Sequence, residues 1–544
     1  MVKKQKFIFV SGGVLSGVGK GITTASLALI LKSKGLVVSP FKCDPYINVD
    51  AGTMNPTEHG EVFVTEDGAE TDQDLGHYER FLNINLSLAN FTTTGQIYQA
   101  VIERERSLGY RGKCVEVVPH IPEEIIRRIK KAGEKYGADV VLIEIGGTVG
   151  EYQNILFLEA ARILKFRQPQ DVIHLHVGYL PTPESLGEMK SKPVQQSVRL
   201  LNSAGIQPDI LIGRSDEPMD EKRREKLALF CNMNPDDIFT NPDVQSIYEV
   251  PLVLEQQKLS RKIFEKLGLR GGKKDLSAWK KLVDVIKSQK PELPIAVVGK
   301  YFTTGDFALE DSYVSVIEAI KHGCWSAKVS PKIVWIDSEK LEKKGAGFLK
   351  KFAGVVVPGG FGARGVEGII TAIKFARENK IPYLGLCFGM QLATVEFARN
   401  VCGLKGAQTV EIDPATPHPV IHVMSSQIKN ISKKIFGGTM RLGVYPCILK
   451  EGTISRKAYA RRAIFERHRH RYEFNNSYRE KLESAGLVIG GTSPDGQLVE
   501  LIEIKNHPFF VAVQFHPEFK SRPLYPHPLY REFVKAAQKS KIKN

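Results

Sequence analysis

The sequence has no run of about 18 apolar residues, so nothing in it reads as a membrane-spanning helix. It also lacks paired cysteines. The seven it has, at 43, 114, 231, 324, 387, 402 and 447, are scattered without a CxxC. That excludes a disulfide framework and a cysteine-based zinc site, and fits a reducing cytoplasm. The start, Met1-Val2-Lys3-Lys4-Gln5-Lys6, runs directly into a short apolar stretch, Phe7 to Val10. A secretory signal would need a longer apolar core and a small-residue cleavage site, so the expectation is cytoplasmic. Internal repeats and low-complexity segments are missing too.

What is present is a soluble-type composition, 42% hydrophobic and 25% charged, with a formal charge of +16 over 544 residues. A basic excess suits either nucleic acid or several polyphosphate ligands. A nucleic-acid reader would want interleaved aromatics or a groove-reading helix, and neither stands out. Part of the excess is the tail Lys535 to Lys543, which reads as a solvated end.

Length argues for two domains. Up to about Val250, apolar runs (Phe7–Val10, Leu36–Phe41, Val140–Ile145, Val172–Val177, Ile210–Ile212) alternate with amphipathic stretches (Ile22–Lys34, Glu123–Lys131, Phe157–Leu164). This predicts a doubly wound α/β domain with a parallel sheet over residues 1–270. Residues 255–292 read as helical and lysine-rich, ending in Lys290-Pro291-Glu292-Leu293-Pro294, with 271–292 as the linker. A second α/β domain follows over 293–544, more β-like towards its end.

Two motifs carry chemistry. Gly13-Val14-Leu15-Ser16-Gly17-Val18-Gly19-Lys20-Gly21 lies between a strand and a helix, the setting in which glycine N–H groups converge on phosphate oxygens. Lys20 is in register to reach terminal phosphates. Gly21 stands where Ser or Thr is usual, so magnesium must find carboxylates elsewhere. Glu144, ending an apolar strand before Gly146-Gly147, and Asp74, in the acidic stretch Glu70 to His77, are the candidates.

The second motif is Gly385-Leu386-Cys387-Phe388-Gly389, a strand-to-helix elbow that exposes a thiol and points the next N–H at a developing oxyanion. His516-Pro517-Glu518, after a late strand, offers a base and a carboxylate to orient it. Pro358-Gly359-Gly360-Phe361-Gly362 would complete the oxyanion hole. The chain thus pairs an acyl-thioester site with a nucleoside triphosphate site.

Over essentially its full length the sequence resembles the CTP synthase family. The resemblance is carried by Lys42-Cys43-Asp44-Pro45-Tyr46-Ile47-Asn48-Val49-Asp50, by His59 to Asp72, by Glu144-Ile145-Gly146-Gly147-Thr148-Val149-Gly150, by Arg441-Leu442-Gly443 and by Glu466 to Tyr472. It implies an amidoligase domain joined to a class I glutamine amidotransferase. ATP would activate the 4-oxygen of UTP, and ammonia from L-glutamine, channelled internally, would displace phosphate.

By the same resemblance ATP would lie on Gly17, Val18, Gly19, Lys20, Gly21 and Ile22, with Asp74 and, near the adenine, Val244. Mg2+ would lie between Asp74 and Glu144. UTP would meet Ser16, Lys190, Ser191, Lys192, Pro193, Val194, Gln195 and Lys226. Glutamine would be held by Gly360, Phe388, Gly389, Met390, Gln391, Glu411 and Arg471, with Cys387, His516 and Glu518 as the triad. A homotetramer, activation by GTP (with Arg364 the candidate contact) and feedback by CTP are family traits. Glu151-Tyr152-Gln153 stands where the family commonly has Asp-Ile-Glu, so weaker CTP feedback is expected. Pro181 to Leu186 and a short stretch from Met424 to Phe436 also depart from the pattern. The nearest rival, an amidoligase such as a cobyrinic acid amide synthase, would lack Lys42 to Asp50 and the Lys190 to Gln195 motif. A filament protein that has lost activity would not keep the catalytic positions.

Overall fold

The apolar run Phe7–Val10 is flanked on both sides by equally apolar runs, which dictates a strand buried on both faces. In the computed structural model it is the centre of a seven-stranded, all-parallel sheet. The structure describes residues 4–272, 275–300, 303–304, 307–308, 310–433 and 436–543. Parts of three stretches read from sequence, the start (1–3), the linker (273–274) and the 424–436 segment (434–435), lie outside the described residues.

The strand order is Phe91–Thr93, Val38–Asp44, Val140–Ile145, Lys6–Gly13, Val172–Tyr179, Ile210–Ser215 and Ile238–Pro242. Alternation decides the two faces. Phe7, Phe9, Val141 and Ile143 join one core with the helices Val117–Lys135 and Ile155–Arg167. Ile8, Val10, Val140 and Leu142 join the other with Lys20–Ser33, Val250–Gln256 and Leu259–Leu267. The two edge strands, Phe91–Thr93 and Ile238–Pro242, escaped the sequence reading. The first is too short to show a period and the second ends in proline.

The chain divides into compact units at points that differ from the sequence boundaries. One unit comprises 1–50 and 77–287, the other 51–76 and 288–544. Within the stretch read as a linker, Ser277–Lys287 is a helix of the first unit. Its Trp279 is 3% exposed, packs against Phe81 and Tyr248, and donates to the Tyr248 carbonyl at 2.7 Å. The lysines around it masked an apolar helical face of Trp279, Leu282 and Val283.

The second unit holds a nine-stranded mixed sheet. Ser330–Asp337, Glu292–Gly299, Gly354–Val357, Tyr383–Leu386 and Phe510–Val513 run parallel. Val499–Ile504, Leu487–Thr492, Arg441–Leu449 and Ala463–His470 continue it antiparallel. The early segment Ala51–Gly76 is anchored in this unit. The Glu61 carboxylate accepts from the Ser315 N–H at 3.1 Å, Arg467 donates to the Val64 carbonyl at 3.0 Å, and Arg469 pairs with Glu70 at 2.8 Å.

Removing Trp279 empties a packed aromatic site and orphans a carbonyl. Trp279→Ala should cost the first unit about 3–5 kcal/mol. Urea unfolding followed by far-UV circular dichroism should show an early transition at lower urea than in the parent protein.

Candidate active site

Cys387 leaves the strand Tyr383–Leu386 and opens the helix Phe388–Asn400. Its φ of 49° lies in the left-handed region, which strains a non-glycine residue. The glycines on either side make this possible. A Cβ on Gly385 would sit 2.9 Å from the Gly389 carbonyl, and one on Gly389 would sit 2.4 Å from the Val357 oxygen. The Cys387 N–H is tied to the Val513 carbonyl at 2.7 Å.

His516 follows the neighbouring parallel strand, and its N–H is held by the Arg467 carbonyl at 2.8 Å. Its Nδ1 meets Glu518 Oε1 at 2.6 Å, and its ring stacks on Phe519. A Cβ on Gly359 would lie 2.9 Å from His516 Cε1 and 3.8 Å from Cys387 Cβ, so the glycine turn passes directly over the pair. Burial disfavours a charge on His516. The Glu518 carboxylate, and after it the charge of the neighbouring Cys387 sulfur, outweigh that and hold the imidazole up at about 10. Elsewhere in the chain, burial pushes the Cys324 thiol up to about 12 and Cys231 to about 11.

Around the triad lies a cavity of about 780 Å³. Gly360, Gln391, Glu411 and Arg471, all expected to hold glutamine, line it. Phe388, Gly389 and Met390 form the first turn of the elbow helix. Arg471 donates to Gln427 Oε1 at 2.8 Å and Thr439 Oγ1 at 2.9 Å, and burial lowers its affinity for the proton.

The glycine turn is held at Gly362 by two opposite charges. Glu411 accepts the Gly362 N–H at 2.8 Å, while Lys300 donates to the Gly362 carbonyl and lies 4.4 Å from the Phe388 ring centroid. Burial raises Glu411 and lowers Lys300 to about 8. Arg364, the candidate GTP contact, donates to the Lys300 carbonyl and pairs with Glu339 at 3.4 Å. Sequence reading missed Lys300, whose one signal is its position directly after the strand Glu292–Gly299. It also missed the wall supplied by Gly52 to Val62, which only folding brings to the thiol.

In the first unit the phosphate loop closes the central strand. Gly17 and Gly19 have φ of 72° and 92°, and Gly19 precedes the helix starting at Lys20. Lys20 is buried and donates to the Gly147 carbonyl at 2.8 Å. The helix Lys192–Ser203 packs against the same strand end: a Cβ on Gly13 would overlap Ser197 Oγ, and one on Gly178 would touch Val194. Gln195 is buried and donates to Ser191 Oγ at 3.1 Å. Lys192 and Lys226 are exposed, and Lys190 pairs with Glu188 at 2.8 Å. Ser16 is exposed on the loop, and Ile22 and Val244 pack against the same core. Arg214, not singled out from sequence, lies 3.7 Å from the space beside Gly19.

Glu144 is 1% exposed. It accepts from Lys42 at 3.1 Å and from Tyr78, and Lys42 also lies 3.5 Å from Asp44. Glu151 reaches the Gly147 backbone beside the Lys20 acceptor, while Tyr152 is 95% exposed and Gln153 is also exposed. Asp74 belongs to the second unit, where its N–H caps onto Asp72 at 2.8 Å. Among the described residues no helix is long and apolar enough to cross a membrane.

The profile of a family described as "CTP synthase N-terminus" matches residues 6–269, and one described as "Glutamine amidotransferase class-I" matches 308–536. Among solved structures, the glutaminase domain of a Trypanosoma brucei CTPS with bound acivicin covers 45% of this chain and 94% of its own length. It is 38% identical, with a TM-score of 0.42. A CTP synthase of Caldanaerobacter subterraneus subsp. tengcongensis is 54% identical over 99% of this chain and 99% of its own. One of Carboxydothermus hydrogenoformans is 54% identical over 98% of this chain and 99% of its own. With half of its residues identical to these relatives from end to end, the chain belongs to the CTP synthase family.

Proposed function

We propose that the protein converts UTP to CTP, using ATP to activate the pyrimidine and L-glutamine as the source of nitrogen. Residues 1–270 supply the amidoligase and 293–544 the glutaminase. The observation that carries the reading is the Cys387–His516–Glu518 arrangement under the Gly359-Gly360 turn.

The sulfur of Cys387 attacks the side-chain amide carbon of glutamine, and the C=O electrons move to oxygen. The Phe388 N–H at the helix start and the glycine turn face that oxyanion. As the C–N bond breaks, His516 gives its proton to the departing nitrogen, releasing ammonia and leaving a thioester. Water, deprotonated by His516, then attacks; the C–S bond breaks, glutamate leaves, and the sulfur is regenerated. Gly360, Phe388 to Gln391, Glu411 and Arg471 hold the amino acid in place.

In the amidoligase the terminal phosphoryl group of ATP passes to O4 of UTP, its bond to the β-phosphate breaking to leave ADP. Ammonia adds at C4 and sheds its extra protons to solvent, and the C–O bond breaks with loss of phosphate. Enclosed delivery keeps ammonia from protonation and dilution. Gly17 to Ile22 cradle the ATP phosphates with Lys20, and Val244 sits by the adenine. Ser16, Lys190 to Gln195 and Lys226 bind UTP. The helix carrying Val194 and Gln195 packs against the phosphate-loop strand, which supports this placement.

Magnesium is implied by the nucleotide chemistry, with Glu144 and Asp74 the expected ligands. Among the described residues no group of three or more His, Cys, Asp or Glu is gathered to hold an ion, and Glu144 would hold one only by exchanging Lys42 and Tyr78 for it. Bound there, the ion would screen phosphate charge. A cytoplasmic homotetramer activated by GTP and weakly inhibited by CTP completes the reading.

Cys387→Ala should abolish glutamine-dependent CTP formation and spare the ammonium-dependent reaction, whereas Lys20→Ala should lose both; following UTP consumption with each donor decides. Because Glu518 helps hold the His516 proton, Glu518→Gln lets that proton leave at lower pH. The alkaline fall of glutamine-dependent turnover should therefore move towards neutrality, while the ammonium-dependent pH profile stays put. Gln153→Glu should restore the acidic residue that the family commonly carries at this position and make CTP a stronger inhibitor; superimposable inhibition curves would reject that role.

A further inference from the structure

The strands Tyr383–Leu386 and Phe510–Val513 are parallel neighbours in the register Leu386 with Val513. The next residue on each, Cys387 and Gln514, therefore emerges from the same sheet end side by side. Gln514 is 1% exposed, and its N–H is anchored to the Glu500 carbonyl at 2.9 Å.

The direction of its side-chain amide follows from its neighbours. The Gln391 amide nitrogen lies 3.2 Å from the Tyr472 carbonyl, which can only accept, so that end of Gln391 is a donor. The same nitrogen lies 3.4 Å from the Gln514 amide oxygen. That fixes the oxygen of Gln514 towards Gln391 and turns its NH2 to the thiol, with Nε2 3.5 Å from Cys387 Sγ. On its other side the sulfur lies 3.6 Å from the Arg469 carbonyl.

These two contacts favour opposite states of the sulfur. A neutral S–H can donate to the Arg469 carbonyl, but once the proton is gone that oxygen repels the charge. The Gln514 N–H does the reverse, and a hydrogen bond from a buried amide to an anion is stronger than one to a neutral atom. We infer that Gln514 is a further catalytic residue of the glutaminase, donating a side-chain N–H to the Cys387 sulfur. It stabilises the sulfur as it attacks glutamine and again as it leaves the thioester. The inference rests on the reading of Cys387 as the thioester nucleophile. Gln391 acts through Gln514 as a positioning residue.

A glutamine serving only as filler would leave the reactivity of the sulfur unchanged when replaced by leucine of similar volume. The ionisable groups around the sulfur are His516, backed by Glu518, with Glu61, Tyr313, Glu411, Arg469, His470, Arg471 and Tyr472 lining the same cavity. All of them stay in place in the variants.

The test is iodoacetamide alkylation of the full-length protein across pH, with the modified cysteine identified by peptide mass, alongside glutamine- and ammonium-dependent CTP formation. Gln514→Leu should slow Cys387 alkylation at neutral pH about tenfold and leave the rate at the alkaline plateau near that of the parent. It should lower glutamine-dependent kcat by a similar factor, with little change in KM and no change in ammonium-dependent turnover. Gln514→Glu, which places a carboxylate where the donor was, should be slower still at neutral pH. It decides the matter if the leucine variant fails to fold. An unchanged alkylation profile in a folded variant would overturn the role of Gln514. Failure of Cys387 to be alkylated in the parent protein would instead overturn the thioester reading itself.

Discussion

The left-handed backbone at Cys387 is tolerated because Gly385 and Gly389 remove the side chains that would collide around it. Strain of this kind costs about 1–3 kcal/mol and persists where its surroundings over-determine it. Here they do: the Cys387 N–H is tied to Val513, and the glycine turn over the sulfur is gripped by Glu411 and Lys300 from opposite sides. Every partner of the thiol is measured from that fixed point. His516 and Gln514 come to the thiol because the elbow sets it at the end of a parallel strand pair.

A comparable economy governs the nucleotide unit. Parallel strands deliver their carboxyl ends to one edge, and glycines keep that edge low enough for polyphosphate. Charge is then balanced locally rather than left exposed. Lys20 rests on the Gly147 carbonyl, and Lys42 answers Glu144 and Asp44.

Much of this was legible beforehand, for identifiable reasons. The runs Phe7–Val10, Val140–Ile145 and Val172–Val177 were recognisable because strands buried on both faces are uniformly apolar. The helix after Lys20 was recognisable from its loop. The stretch holding Ser277–Lys287 was legible as helical and lysine-rich, but those lysines diluted the face of Trp279, Leu282 and Val283 that packs it into the first unit, so it read as a linker. Lys300, Arg214 and Gln514 carry no motif, and each gains meaning from a neighbour remote in sequence.

The sequence by itself determined the two chemistries, since the conformations they need are local. Glycines that permit positive φ, a strand before and a helix after are enough to specify a phosphate loop and a thiol elbow. Tertiary structure alone decided that Ala51–Gly76 folds with the glutaminase unit and walls its cavity, and that Gln514 stands beside Cys387. Those facts depend on strand register and on buried pairs such as Arg469 with Glu70. They join residues far apart along the chain, where no local periodicity records the pairing.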